Sequence, residues 1–132
     1  MVVTGVISLA AALAAPNLSS ATGDWSNIPA VERRNNSDAT AFIVDAIESA
    51  VQSGNCKISG VSGKRINLEV PFLIQFDTSG AVKEVVVGKL GCPEVEIAMG
   101  NAILRLAERG DYRPSGRNDV GWYRGLLDID SN

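Results

Sequence analysis

The sequence has no histidine among its 132 residues and contains only two cysteines. Because histidine is the commonest general base in enzymes and the most frequent side-chain ligand of metal ions, its absence argues against the usual catalytic dyads and triads. Cys56 and Cys92 are too few for a tetrahedral thiolate zinc site, and their spacing is not that of a C-x-x-C redox pair. We therefore predict a protein that is not an enzyme and that has no cofactor and no metal site.

The chain also lacks an excess of positive charge. Its net charge is −3 at pH 7, and its isoelectric point is about 4.9. A nucleic-acid binder, or a protein that binds anionic membranes, needs an extended field of positive sign, so both classes are disfavoured. Hydrophobic residues make up 45% and charged residues 20% of the sequence, which is typical of a folded chain, and the length predicts one domain.

No lysine or arginine precedes the first apolar run, which covers residues 6–15. The run is shorter than the roughly 20 residues that span a bilayer, and the sequence SSA at residues 19–21 fits the small-x-small pattern of a signal cleavage site. We therefore predict a signal peptide over residues 1–21 and a periplasmic or secreted location, although the usual positively charged start is missing. The alternative is an alanine-rich buried helix. In an oxidising compartment Cys56 and Cys92 are expected to form a disulfide, and otherwise they are two unrelated thiols.

Residues 22–36 are polar and rich in turn-forming residues, and they predict a loosely ordered lead-in. Apolar residues then recur at helical spacing between residues 42 and 51. Ser37 or Asp38 offers a side chain for the N-cap, and a glycine follows the apolar positions. These features predict a first helix over residues 38–53.

Apolar and polar residues alternate from Ile66 to Phe76, which is the pattern of a strand with one buried face. Pro71 cannot donate a hydrogen bond to a neighbouring strand. The strand must therefore be an edge at this residue, carry a bulge, or begin its pairing after it. The sequence DTSG at residues 77–80 predicts a tight turn, and residues 82–87 predict the second arm of a hairpin.

A second helix is predicted from Pro93, which suits the first helical position, to just before Gly110, which suits the position after a helix end. A turn-rich connection then leads to a final strand over Trp122–Ile129. Together these elements predict a single α/β domain over residues 37–132. Its expected fold class is α+β, with two helices and a three-stranded antiparallel sheet in the order helix, strand, strand, helix, strand. The predicted buried stripe of the second helix consists of Val95, Met99, Ala102, Ile103 and Leu106.

Three stretches resemble one known family: VPFLIQFDTSGAVKEVVV at residues 70–87, GCP at residues 91–93 and DYRP at residues 111–114. They are similar to the C-terminal domain of TonB-type energy transducers, and the resemblance covers about residues 38–130. It implies a small periplasmic domain whose partner is a protein, such as a peptide of an outer-membrane transporter. The chain departs from the family in having only five prolines and no Pro-rich spacer or membrane anchor. This departure favours a free-standing relative or a domain with another partner.

The last third of the chain carries the candidate partner-binding residues. Because successive residues of a strand point to opposite faces, two adjacent aromatic residues of the final strand cannot face the same way, and one belongs to the core. In the TonB-like arrangement the final strand is a sheet edge, and we predict that a partner chain adds to it through main-chain hydrogen bonds. The alternatives are an edge that binds nothing, a domain that self-associates into a homodimer, and a small enzyme or inhibitor. The five candidate residues are Arg113, Arg117, Trp122, Tyr123 and Arg124.

Overall fold

A computed structural model describes residues 16–34, 40–53, 56–62, 65–116 and 121–131 of the chain. These residues form two helices and seven strands. The helices are α1 (Thr40–Gln52) and α2 (Pro93–Glu108). The strands are β1 (Asn17–Ala21), β2 (Glu32–Arg33), β3 (Val61–Ser62), β4 (Arg65–Phe76), β5 (Val82–Gly88), β6 (Tyr112–Arg113) and β7 (Trp122–Ser131).

Five of these strands form one mixed sheet around the long strand β4. One side of β4 pairs antiparallel with β5 over Phe72–Phe76 and with β3 near its start. The other side pairs antiparallel with β7 over Ile66–Gln75. Because β1 lies outside β5 and runs parallel to it, β1, β5 and β7 all run in one direction and β4 runs in the other. A separate two-stranded sheet consists of β2 and β6.

The predicted α+β fold with two helices and a three-stranded antiparallel sheet is therefore wrong. The three expected strands are present as β4, β5 and β7, but β1 and β3 extend the sheet to five strands, and β1 makes it mixed. The sequence of β1, NLSSA, is short and mostly polar, so its extended conformation depends on pairing with a distant strand rather than on local pattern. It lies within the segment predicted as a signal peptide. Residues 1–15 of that segment lie outside the described residues.

The hydrophobic core lies on one face of the sheet, under the two helices. The even-numbered residues of β4 from Ile66 to Phe76 are buried, as the alternating pattern predicts. Full burial of each such side chain stabilises the fold by about 1.5–3 kcal/mol. The helices complete this core with Ile43, Ile47 and Ala50 of α1 and with the predicted stripe of α2, namely Val95, Met99, Ala102, Ile103 and Leu106.

The boundaries of α2 agree with the sequence prediction. Pro93 follows the N-cap residue Cys92, and Gly110 lies just beyond the helix with a φ of 85°. A disulfide joins Cys92 to Cys56, with their Cα atoms 5.5 Å apart, so the predicted pairing of the two cysteines is confirmed. The bond fixes the segment after α1 to the start of α2. The predicted N-cap of α1 lies outside the described residues.

The hairpin of β4 and β5 is confirmed, and its geometry explains how β4 accommodates a proline at residue 71. Asp77 holds the turn, since its Oδ1 accepts hydrogen bonds from the backbone N–H groups of Ser79 at 2.8 Å and Ala81 at 3.1 Å. Pairing with β5 begins at Phe72, immediately after Pro71. Backbone groups alternate in direction along a strand, so the missing N–H of Pro71 faces the side on which this ladder starts and breaks no pair.

Residues 22–31, which we call the crossing segment, connect the two opposite sides of the sheet. The segment leaves β1 where the Ala21 carbonyl accepts a hydrogen bond from the Lys89 N–H at 3.2 Å. It reaches β7 where Ala30 forms a parallel bridge with Arg124. The region predicted as a lead-in therefore joins the β1 edge of the sheet to the β7 edge. Neither helix in the described ranges has the length and apolarity that a membrane span requires.

Candidate functional site: the edge of β7

Among the described residues, β7 is the outermost strand on its side of the sheet, and they cover it only at its beginning. The Arg124 N–H donates to the Pro29 carbonyl at 2.8 Å, and the Arg124 carbonyl accepts from the Val31 N–H at 2.8 Å. The crossing segment therefore closes the edge at Arg124. Ser115 secures this contact, because its Oγ donates to the Ala30 carbonyl at 2.6 Å.

Beyond Arg124 the described residues leave the same edge open. Since Arg124 directs its backbone groups away from β4, the alternation of an antiparallel strand directs those of Leu126, Asp128 and Asp130 outward as well. Within the described part of the chain no backbone group pairs with these three residues. We call this stretch, Leu126–Asp130, the free edge. It presents three N–H donors and three carbonyl acceptors, which is the arrangement to which an extended chain can add.

The side chains of the free edge divide into an apolar position and an acidic end. Leu126 is 49% exposed, which makes it one of the two large exposed hydrophobic residues in the described ranges. Asp128 and Asp130 are exposed on the same face, and Glu69 of β4 lies directly across from Asp128. A strand that paired with the free edge would lie beside a leucine at one end and beside two or three carboxylates at the other.

A groove of about 430 Å³ adjoins the closed end of the free edge. We call it the edge groove. It lies between the crossing segment and β7, and its residues come from the crossing segment, from β2, β4 and β6, and from the first half of β7. Its apolar wall consists of Trp25, Val31, Pro71 and Leu126.

The polar wall of the edge groove consists of Arg33, Tyr112 and Arg124. The Arg33 guanidinium carbon lies 5.8 Å from the centre of the Tyr112 ring. The Arg124 Nε donates to the Ile28 carbonyl at 2.8 Å, which holds this side chain against the crossing segment. Two positive charges therefore border the groove, in a chain whose net charge is negative.

The hydroxyl of Tyr112 is buried and has no hydrogen-bond partner among the described residues. The ring packs edge-on against Phe72 with centroids 5.2 Å apart, and the residue is 2% exposed. Burial raises the pKa of the Tyr112 phenol above its ordinary value. The positive charge of Arg33 lowers this pKa and the negative charge of Asp111 raises it, but burial has the largest effect. The hydroxyl is therefore protonated at neutral pH and can donate a hydrogen bond. Buried polar groups are nearly always paired, so an unpaired one calls for an explanation.

The structure brings only part of the sequence-predicted set to the edge. Arg124 and the half-buried Trp122 lie on the face away from the core, and Arg124 borders the edge groove. Tyr123 is the core residue of the aromatic pair, since it is 2% exposed and packs against Phe76 with ring centroids 5.9 Å apart. Arg113 is exposed in β6, where its Nε donates to the Gly110 carbonyl at 3.3 Å. Arg117 lies outside the described residues.

Sequence reasoning missed Trp25, Arg33 and Tyr112. Trp25 and Arg33 belong to the turn-rich segment after β1, which has no period that would place them on a surface. Tyr112 belongs to the DYRP stretch, which indicated the exit of the second helix and gave no sign of a buried hydroxyl. A tryptophan within an otherwise polar segment was a usable signal, because such a residue needs apolar surface from elsewhere in the fold.

Comparison with known protein families, with curated proteins and with solved structures finds no match to this chain. The similarity to the TonB C-terminal domain therefore rests on the three quoted stretches alone.

Proposed function

We propose that this protein is an exported, non-enzymatic binding domain that captures an extended segment of a partner protein as an additional strand on the free edge. The observation that carries the proposal is the row of outward backbone groups at Leu126, Asp128 and Asp130, which have no partner among the described residues. Main-chain hydrogen bonds to such a row supply affinity, and neighbouring pockets supply sequence preference. The edge groove is such a pocket.

The disulfide and the resemblance support the location and the class of partner. Structural disulfides such as Cys56–Cys92 form in oxidising compartments, so the bond favours a periplasmic or secreted protein. The TonB-like stretches favour a segment of an outer-membrane transporter as one candidate partner. The residues that border the edge groove offer donors and apolar surface rather than a nucleophile with an adjacent base, which favours binding over catalysis.

The charge of the edge favours a different protein over a second copy of this chain. The symmetric antiparallel pairing of two free edges that uses all of Leu126–Asp130 places each Asp128 opposite its own counterpart. Like charges directly opposite each other destabilise a strand pair by a few tenths of a kcal/mol up to about 1 kcal/mol. We therefore expect sedimentation equilibrium to show a monomer over a wide concentration range.

Replacing Asp128 by proline tests the proposal, because the N–H of this residue faces away from β4. Asp128→Pro removes one outward donor and places a ring on the edge, while the ladder with β4 keeps its hydrogen bonds. Asp128→Asn is the matched control, since it removes the charge and keeps the N–H. Each variant is immobilised and exposed to an extract of the native host compartment, and the retained proteins are crosslinked and identified.

We expect a partner that the wild-type chain and Asp128→Asn retain and that Asp128→Pro loses. The bound partner should also slow amide exchange at Leu126, Asp128 and Asp130 in the wild-type protein. Thermal unfolding checks that Asp128→Pro is folded. Equal retention of every partner by all three proteins, or binding without protection of these amides, would refute strand addition at this edge.

A further inference from the structure

We infer that the edge groove binds the C-terminal carboxylate of the partner segment, so that the added strand runs antiparallel to β7 and ends at Arg124. This inference rests on the proposed function and specifies the kind of segment that the free edge accepts. The protein would then bind the C-terminal ends of polypeptide chains whose last residue is apolar and whose preceding residues include basic ones.

The closed end of the edge limits where an added strand can go. Pro29 and Val31 already occupy the outward backbone groups of Arg124. A segment that pairs with Asp130, Asp128 and Leu126 therefore cannot continue along β7 past Leu126. Its next residue must leave the sheet at the edge groove, which begins at Leu126 and Gly125. A segment that ends there needs no path around the crossing segment.

The polar wall of the groove matches a carboxylate. Arg33 and Arg124 supply positive charge, and guanidinium groups bind carboxylates well because their donors are planar and forked. Tyr112 supplies a buried, protonated hydroxyl that lacks a partner among the described residues. The hydroxyl oxygen has almost no exposed surface, so a carboxylate in the groove reaches it only when neighbouring side chains move aside. A carboxylate oxygen that then accepts this hydrogen bond would give the unpaired polar atom a partner.

The apolar wall suits the side chain of the last residue. Trp25, Val31, Pro71 and Leu126 all line the groove, so an aliphatic or aromatic side chain can be buried against them while its carboxylate meets Arg33 and Arg124. A short acidic side chain would supply the charge but would leave this apolar surface uncovered. The groove therefore favours a terminal carboxylate on an apolar residue over an internal aspartate or glutamate.

The acidic end of the free edge fixes the direction of the strand. Asp128, Asp130 and Glu69 lie toward the end of β7, away from the groove. Cross-strand pairs of opposite charge stabilise a sheet, so the segment should carry Lys or Arg two and four residues before the residue opposite Leu126. In the parallel direction the amino end of the segment would face Arg33 and Arg124, and like charges would repel.

Synthetic peptides test each part of this inference by fluorescence anisotropy. The reference probe is a labelled heptapeptide in which lysine alternates with threonine, followed by a C-terminal leucine with a free carboxylate. The comparison probes carry a C-terminal amide, glutamate in place of all three lysines, or an amidated glutamate as the last residue. A fifth probe has N-methyl groups on the backbone positions that would pair with β7.

The reference probe should bind at least about tenfold more tightly than its amide, its glutamate analogue and the probe that ends in amidated glutamate. Tyr112→Phe and Arg33→Gln should each reduce the difference between the acid and the amide to less than about threefold, with little change in the affinity of the amide. Arg34→Gln is the matched control, because Arg34 is exposed, pairs with Glu32 at 3.2 Å and is not part of the groove. The melting temperature of Tyr112→Phe should be at least that of the wild type.

The outcomes separate this inference from the proposed function. If acid and amide bind equally and both are lost with N-methylation or Asp128→Pro, strand addition stands and carboxylate recognition is wrong. If the probe that ends in amidated glutamate binds as well as the reference probe, the carboxylate is a side chain and the assignment to a chain end is wrong. If no probe binds at concentrations up to about 1 mM, recognition of a C-terminal carboxylate is wrong. The proposed strand addition is then tested by the capture experiment with Asp128→Pro alone.

Discussion

Glu96 joins three parts of the fold through one carboxylate. Its Oε2 accepts hydrogen bonds from the backbone N–H groups of Leu90 at 2.6 Å and Gly91 at 3.1 Å. Ser20 of β1 also hydrogen-bonds to this side chain. Burial opposes the charge of Glu96, but these donors and the Cys92 N–H outweigh it and hold the pKa of the carboxyl below its ordinary value.

We predict that Glu96→Gln lowers the free energy of unfolding by about 1–2 kcal/mol at pH 7, because charge-assisted hydrogen bonds become neutral ones. The sign of the pH dependence follows from the lowered pKa. The ionised carboxylate stabilises the fold above its ordinary pKa of 4.5, and this contribution is lost as the pH falls through the folded-state value. Urea unfolding between about pH 7 and pH 3 measures both effects.

Glu94→Gln is the control for this prediction, because Glu94 is exposed in the same first turn of α2. It should change stability by less than about 0.5 kcal/mol. An unchanged stability and an unchanged acid transition in Glu96→Gln would show that the carboxylate does not hold β1 against α2.

At the scale of single elements, the outer edge of β7 is closed at Arg124, and the described residues leave it open from Leu126 to Asp130. Leu127 and Ile129 direct their backbone groups to β4, opposite Val70 and Leu68, whereas Leu126 directs its groups away from β4. Inward and outward backbone groups alternate along this part of the strand, so the exposure of the backbone differs between neighbouring residues.

We predict that amide exchange in the unliganded protein alternates along β7. The amides of Leu126, Asp128 and Asp130 should exchange much faster than those of Leu127 and Ile129, because the latter two donate into the ladder with β4. Residue-resolved exchange measured by NMR tests this alternation. Equal protection at all five amides would mean that another part of the chain, or a second copy, covers the edge.

How much of each element the sequence predicts depends on whether its signal is local. The alternation from Ile66 to Phe76 is set by one buried face, and the limits of α2 are set by Pro93 and Gly110, so all of these could be read from nearby residues. β1 could not, because its five residues become a strand only beside β5. The edge of β7 was predicted, but the part of it that the crossing segment closes at Arg124 depends on a long-range contact.

At the scale of the whole molecule, the disulfide closes a long loop. Cys56 and Cys92 are 36 positions apart, and the loop between them contains β4 and β5. Restricting a loop of this length in the unfolded chain stabilises the fold by about 4 kcal/mol in the chain-entropy model.

We predict that the double variant Cys56→Ala, Cys92→Ala loses about 3–4 kcal/mol of unfolding free energy, and that reduction of the wild-type protein has a similar effect. Guanidinium unfolding with and without reductant measures the difference. The double variant itself should be insensitive to reductant, which serves as the internal control. Identical unfolding midpoints for oxidised and reduced wild-type protein would contradict the prediction.

The position of β1 makes a prediction about truncation. Leu18 packs within reach of Gly100 of α2 and lies opposite Val85, so β1 covers one side of the core. A chain that starts at Pro16 should unfold cooperatively, and a chain that starts at Thr22 should lose several kcal/mol because β5 and α2 lose a neighbour. Denaturant unfolding of the two chains compares them directly. Equal stability would show that β1 is dispensable and that processing after Ala21 leaves the fold intact.

The shared direction of β1, β5 and β7 determines how the sheet responds to tension. Asn17 begins one outer strand and Ser131 ends the opposite one, so a pull between these two residues acts along the strands. Such a load shears many backbone hydrogen bonds together, whereas a load across the strands would unzip them one at a time. A strand added antiparallel to β7 and pulled from its amino end, with the domain held at Asn17, would be loaded in the same way, and the complex would resist mechanical force better than its equilibrium affinity suggests.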